Sequence, residues 1–201
     1  MPGLENAPVQ ERNWTPLIVL GGLGLMVLLT VAWGIRAYNR MVYLREGVPA
    51  AWAQVENVLQ RRYDLIPNLV STVKGYAKHE RELLTEITKL RSQWGAAKTP
   101  AAKVAAANGL EGALSRLMVV IESYPNLKAN ENFARLMDEL AGTENRIAVE
   151  RMRYNDMIRE YNTTVKTFPT NLIARRYGFE PMPEAYVKME KEAAKAPKVE
   201  F

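Results

Sequence analysis

The chain has 201 residues, a formal net charge of +5 and 48% hydrophobic residues, enough for one domain with a sizeable core plus attachments. It contains no cysteine, which excludes disulfides, a thiolate nucleophile and a thiolate metal site. The basic excess lies beyond residue 35, because the ionisable side chains before it are Glu5, Glu11 and Arg12. Such an excess suits nucleic acid, an anionic membrane surface, or membrane topology alone.

Residues 1–12 are short, polar and carry Pro2 and Pro8, so a disordered N-terminal tail is expected. From Asn13 to Ile35 no ionisable side chain occurs, and the run Pro16–Ile35 reaches the roughly 20 residues that a bilayer core demands. Trp14 at one end, with Trp33 and Tyr38 at the other, match aromatic belts at the two interfaces. A transmembrane helix over 13–37 is therefore expected. A retained anchor is preferred to a cleaved signal peptide, since a basic n-region and a small-x-small cleavage site are both missing. Arg36, Arg40 and Arg45 follow the span, against Arg12 alone before it. The positive-inside rule then places the N-terminus outside and the C-terminal domain in the cytoplasm. Gly21, Gly22 and Gly24 form a small-residue patch without a GxxxG pair, weak grounds for contact between membrane helices.

The pattern next becomes amphipathic. Met41, Leu44, Val48, Ala51, Val55 and Val58 alternate spacings of three and four, with Arg62 in the same register, as in a bundle seam. This helix either continues from the membrane span or is kinked at Gly47 and Pro49. The stretch Arg61–Val70 reads as a tight reversal. Arg61 and Arg62 would close one helix at the negative end of its dipole, and Asp64 would cap the next. Pro67 then falls at the third helical position, where no intrahelical bond is lost. Ile66, Leu69, Val73, Tyr76, Glu80, Leu83, Ile87, Leu90 and Trp94 continue the spacing as a second helix. Gly95–Pro100 ends it. Leu110, Leu114, Leu117, Val120 and Ile121 share one face of a third helix over 101–123, and Tyr124-Pro125-Asn126-Leu127 is a turn. A fourth helix begins near Asn130, with Phe133, Leu140, Ile147, Tyr154, Tyr161 and Phe168 recurring every seven residues. Met137, Ile158 and Val165 lie four residues beyond members of that series, whereas Glu144 and Arg151 fill the matching positions between them. Pro169 stops the helix, residues 171–179 allow one more short turn, and Gly178 suits a helix end. Prolines and Lys/Glu residues mark 180–201 as a C-terminal tail without a core of its own. The simplest architecture is all-α: an N-terminal transmembrane helix, then an antiparallel four-helix up-and-down bundle over 38–179.

These residues resemble the LemA family of bacterial membrane-anchored helical proteins. The resemblance rests on Tyr38-Asn39, Leu44-Arg45, Ala51-Trp52-Ala53-Gln54, Arg61–Val70 and Thr72–Glu80. It resumes at Tyr124–Ala129, Leu140–Ile147 through Tyr154-Asn155, Tyr161-Asn162, Phe168-Pro169 and Pro197–Phe201. It implies one N-terminal membrane helix, a four-helix bundle, a bacterial inner-membrane location and no settled biochemical activity. The signature positions within it are Arg62, Tyr63, Asp64, Pro67, Asn68, Glu144 and Arg151. Gly47-Val48-Pro49 departs from the helix-favouring residues usual in the family, which puts continuity of the first helix in question.

Catalytic chemistry finds little support. His79 is the sole histidine, so neither a His-rich metal site nor a Ser-His-Asp triad can be assembled, and no Gly-rich phosphate loop is present. Neither an enzyme activity nor a cofactor is expected. The polar seam residues Arg62, Glu80, Glu144 and Arg151 are either exposed where the stripe rotates out of the core, or, for Glu144 and Arg151, members of a buried charged network that fixes register. Tyr63, Asn68, Tyr124 and Asn126 would share the end of the bundle away from the membrane, as turn chemistry or as a docking face for a protein. Arg36, Arg40 and Arg45, joined by Arg175 and Arg176, would meet anionic headgroups at about 1 kcal/mol each. The expected partners are the lipid bilayer through residues 13–37, an unidentified protein, and further copies of the chain as a homo-oligomer. Nucleic acid is not expected, because acids interleave with bases along every helix. A non-catalytic membrane scaffold is the leading expectation, and a self-assembling membrane-organising oligomer the alternative.

Overall fold

The computed structural model describes residues 14–77 and 79–182. The chain is helical, and the described residues contain no strand. The described residues form six helices in order: α1 (Thr15–Tyr76), α2 (Arg81–Ala96), α3 (Pro100–Ile121), α4 (Pro125–Lys128), α5 (Glu131–Lys166) and α6 (Thr170–Tyr177). The expected tail 1–12, and the greater part of the expected tail 180–201, lie outside the described residues.

The reversal expected at Arg61–Val70 is absent. α1 is a single helix of 62 residues that runs from the apolar segment into the domain, with Pro49 and Pro67 inside it. The buried stripe explains why. Val55, Leu59, Tyr63, Ile66, Leu69 and Val73 are all buried at spacings of three and four, so ending the helix at Arg62 would expose its own core face. Asp64 caps nothing; its Oδ1 accepts a hydrogen bond from Gln60 Nε2 at 2.7 Å, one turn earlier. Pro67 has no N–H to offer the carbonyl of Tyr63, but Arg91 Nε from α2 donates to that carbonyl at 3.1 Å. An interior proline is tolerated because a neighbouring helix satisfies the acceptor it frees.

The true reversal lies at Ala77–Glu80, and the expected second helix is therefore shortened to α2. Gly47 and Pro49 do not interrupt α1. Gly47 instead permits close approach of α5, since a Cβ there would meet Met157 Sδ at 3.0 Å. α3 starts at a Thr99 cap whose Oγ1 accepts from Ala102 N, followed directly by Pro100. α5 starts at Asn130, which accepts from Phe133 N at 3.0 Å. Gly178 ends α6 in the left-handed region, as its position after Arg175-Arg176-Tyr177 leads one to expect.

Cross-helix contacts set the directions. α1 and α5 are antiparallel neighbours, joined by the Arg40–Glu160 and Arg62–Glu144 ion pairs and, at the far end, by Asn130 Nδ2 donating to Tyr76 Oη. α2 and α3 are antiparallel, held by Arg116–Glu86 and by Leu90 packed over Gly109. One core cluster draws side chains from α1, α2, α3, α4 and α5, among them Tyr63, Ile87, Leu117, Leu127 and Ile147. A second cluster, nearer the apolar segment, joins Ala37, Met41 and Leu44 of α1 with Tyr161 and Val165 of α5, Ala174 of α6, and Phe179.

The heptad positions Phe133, Leu140, Ile147, Tyr154 and Tyr161 are all buried, but Phe168, the next in the series, is 74% exposed. The helix has ended before it, at Lys166. Past α6 the chain still packs: Tyr161 Oη donates to Glu180 O, and Asn162 exchanges two hydrogen bonds with the Met182 backbone at 3.0 and 2.8 Å. Ordered contact thus extends to Met182, beyond the expected boundary at 179.

Candidate functional site

Two regions concentrate unusual chemistry. The first is a charged cluster midway along the domain. Arg62 is 7% exposed, and its guanidinium reaches Glu111 of α3 at 2.8 Å and, in a second ion pair, Glu144 of α5. One planar fork thereby ties three helices together. Both carboxylates are partly solvated, their side chains 44% and 43% exposed, so the desolvation cost falls mainly on the arginine. Burial lowers the Arg62 pKa, opposed by the charge of Glu111. Arg151, half-buried on α5, is shifted down by burial in the same way, again opposed by Glu111. Glu111 therefore lies in the fields of both arginines.

Tyr63, next to Arg62, is 1% exposed and stacks on Trp94 of α2 with ring centroids 4.3 Å apart. Its hydroxyl has no hydrogen-bond partner among the described residues, and burial raises its pKa. Lys103 of α3 lies 5.0 Å over the Trp94 ring and pairs with Glu56 of α1. Sequence reasoning singled out Arg62, Tyr63, Glu144 and Arg151, and the fold brings all four to this level. Glu111 and Trp94 do not stand out in the sequence: Trp94 reads as one more seam residue, and Glu111 sits among alanines and leucines with no local signal. Arg62 does not end a helix; it lies inside α1, whose last residue is Tyr76. Among the described residues no group of three or more His, Asp or Glu converges as metal ligands would.

The proposed end face splits up. Tyr124 and Asn126 do lie at the end of the domain remote from the apolar segment, where Tyr124 Oη donates to Glu80 Oε1 at 3.1 Å and so ties α4 to the start of α2. Tyr63 is buried far from that end, and Asn68 is an exposed residue within α1. His79 is exposed in the turn between α1 and α2.

The second region surrounds the apolar segment. Leu17, Ile18, Leu20, Leu25, Leu28 and their neighbours are exposed over more than half their surface, a bare apolar rod. It is long and apolar enough to cross a membrane. α3 is also apolar and long enough, but a third of its most apolar window is buried, and its Leu110, Leu114, Leu117 and Ile121 form part of the core. Arg36, Arg40 and Arg45 follow the rod and are exposed; Arg40 pairs with Glu160, and Arg45 stands 5.1 Å over the Phe179 ring. α6 brings the exposed Arg175 and Arg176 alongside.

Comparison with known proteins adds a family and some relatives. The model of the LemA family matches residues 51–201. Two magnetosome proteins MamQ of Paramagnetospirillum magneticum are each 28% identical over 181 residues, 77% of this chain and 66% of theirs. MamQ of Magnetospirillum gryphiswaldense is 26% identical, covering 81% of this chain and 69% of its own length. Protein LemA of Metamycoplasma hominis is 25% identical over 69% of this chain and 64% of its own. The chain spans about two thirds of the length of these relatives.

Proposed function

The chain belongs to the LemA family, and on that premise we propose that it is a non-catalytic, membrane-anchored helical scaffold. The observation that supports this best is the continuity of α1: the exposed apolar rod and the first helix of the domain are one rigid element. From Ile35 to Tyr76 that helix rises about 60 Å at 1.5 Å per residue. A helix of this kind holds the α1–α2 turn, Tyr124 and Asn126 well away from the bilayer, where a protein partner can reach them. On this reading α1, α2, α3 and α5 are the helices of an antiparallel four-helix bundle, and the three-helix grip of Arg62 fixes their register. The basic residues after the span favour a cytoplasmic domain in the inner membrane, with the N-terminus outside.

Topology is tested by single cysteines, which the cysteine-free chain permits without background. Asn126→Cys should react with an impermeant maleimide only after the cytoplasmic face is opened, and labelling of intact spheroplasts would overturn the orientation. The alternative of a self-assembling oligomer draws on the exposed Val149 and Met152 of α5 and Met118 and Val119 of α3. Cross-linking and mass measurement in detergent separate the two readings: a monomer supports the scaffold acting alone, and a large defined assembly supports the oligomer.

A further inference from the structure

We propose that the α5–α6 corner and α6 form a second membrane contact, an interfacial foot that dips into the headgroup and upper acyl region beside the transmembrane helix. The inference rests on the anchored reading of residues 16–35 and goes beyond it, because it assigns a lipid-binding role to residues outside the span.

The level of the corner follows from the helix register. Twenty residues of apolar helix from Pro16 to Ile35 span about 30 Å, the thickness of the hydrocarbon core. Arg40 pairs with Glu160 across the antiparallel α1–α5 interface. Continuing down α5 from Glu160 to its last residue, Lys166, is matched on α1 by the descent from Arg40 to Gly34. The corner beyond Lys166 is therefore level with the edge of the apolar rod. α6 confirms that height: Ile173 Cδ1 lies 4.0 Å from a Cβ position at Gly34, and Tyr177 meets Tyr38 edge-on at 5.0 Å. Since Gly34 matches Ile173 and Tyr38 matches Tyr177, α6 runs parallel to α1 and its N-terminal end lies on the bilayer side.

The chemistry of this end fits lipid. Phe168, Leu172 and Tyr177 are 74%, 57% and 62% exposed, although the apolar series of α5 would have buried Phe168 had the helix continued. Arg175 and Arg176 of α6 and Arg36 of α1 are exposed at the same height, three cations at the level where an anionic surface would meet them. Backbone groups entering low dielectric must be satisfied internally. Here threonine hydroxyls do so: Thr164 donates to Glu160 O, Thr167 to Thr163 O, and Thr170 to the carbonyls of both Thr164 and Thr167. Thr170 thereby covers the Thr164 carbonyl, which the end of α5 leaves without an intrahelical donor.

The test uses the full chain reconstituted in vesicles of mixed phosphatidylglycerol and phosphatidylcholine. Spin labels are placed one at a time through Phe168→Cys, Leu172→Cys, Met152→Cys and Leu28→Cys, each variant checked for unchanged helicity. Collision with an aqueous nickel chelate should fall several-fold at Phe168 and Leu172 relative to Met152, and collision with oxygen should rise. Phe168 and Leu172 labels as open to the nickel chelate as Met152, with the Leu28 label protected, would overturn the foot and leave the anchor standing. A Leu28 label open to the chelate would overturn the anchored reading, and the foot with it. In vesicles of the same composition, Arg175→Glu with Arg176→Glu should raise nickel-chelate access at Leu172; unchanged access would overturn the part assigned to the arginines.

Discussion

Arg62 pays for its burial with two acidic partners, and which side of that cluster is removed decides the outcome. Glu144→Gln alone leaves Glu111 at 2.8 Å, so a modest loss of stability is expected. Glu111→Gln with Glu144→Gln strands a buried cation, and the loss should reach about 3–5 kcal/mol. Adding Arg62→Met to that pair should recover most of it, because a desolvated charge is replaced by an apolar chain of similar length. Denaturant titration of the four proteins in one detergent checks the order; a triple variant no more stable than the double would refute the assignment. Tyr63 supplies a pH dependence of definite sign. Its buried hydroxyl has a raised pKa, so the folded state holds the proton that the unfolded state releases above about pH 10. Stability is fully present below that pH and is lost progressively above it, as pH climbs toward the raised pKa of the folded state. Tyr63→Phe should be neutral or slightly stabilising at pH 7 and should flatten the alkaline decline, leaving the smaller contributions of Tyr154 and Tyr161, whose pKa values burial also raises.

The long α1 helix depends on a substitution of hydrogen-bond partners rather than on propensity. An interior proline costs about 3 kcal/mol relative to alanine in a helix, yet Pro67 is accommodated because Arg91 serves the carbonyl it orphans. This predicts a coupling. Arg91→Met in the natural background leaves the Tyr63 carbonyl without a donor and should cost about 1–3 kcal/mol. In a Pro67→Ala background the new N–H can bond that carbonyl, so the same Arg91→Met change should cost clearly less. A double-mutant cycle by thermal denaturation measures the difference, and additive effects would refute the mechanism. Gly47 makes a separate point about how α1 and α5 meet: a Cβ would press on the Met157 thioether, whose flexible end can shift, so Gly47→Ala should be mildly destabilising at most.

For the whole molecule, the rigid link between rod and domain makes the reach a measurable quantity. A donor dye at Asn126→Cys and acceptor lipids in the bilayer should report a separation of roughly 60 Å, set by the rise of an unbroken helix. A separation near half of that would mean that the helix breaks at Gly47–Pro49 in the membrane. The same geometry makes a partner bound at the distal end stand clear of the lipid, while α6 remains close to it.

How much was legible in the sequence differed by the range of the interaction responsible. The apolar run, the α3 and α5 stripes and the Gly178 end depend on side-chain transfer energies and on neighbours within one or two turns, so composition and spacing suffice for them. Arg61–Val70 misled because its local signals, a proline, an aspartate and paired arginines, imitate a helix junction; yet Val55, Leu59, Tyr63, Ile66, Leu69 and Val73 already carried the stripe across it. What overruled the local signals was a donor from another helix, Arg91, which spacing along the chain cannot reveal. The charged cluster divides the same way. A polar residue in an apolar register marked Arg62, Glu144 and Arg151 as unusual, but that Arg62 is the buried member and Glu111 its second partner was decided by the packing of α3 against α1 and α5. The all-α class, the apolar span and the family signature were thus determined by the residues themselves, whereas the place where α1 turns and the partners of Arg62 were decided by tertiary contact, because each depends on a group remote in sequence to satisfy or cover it.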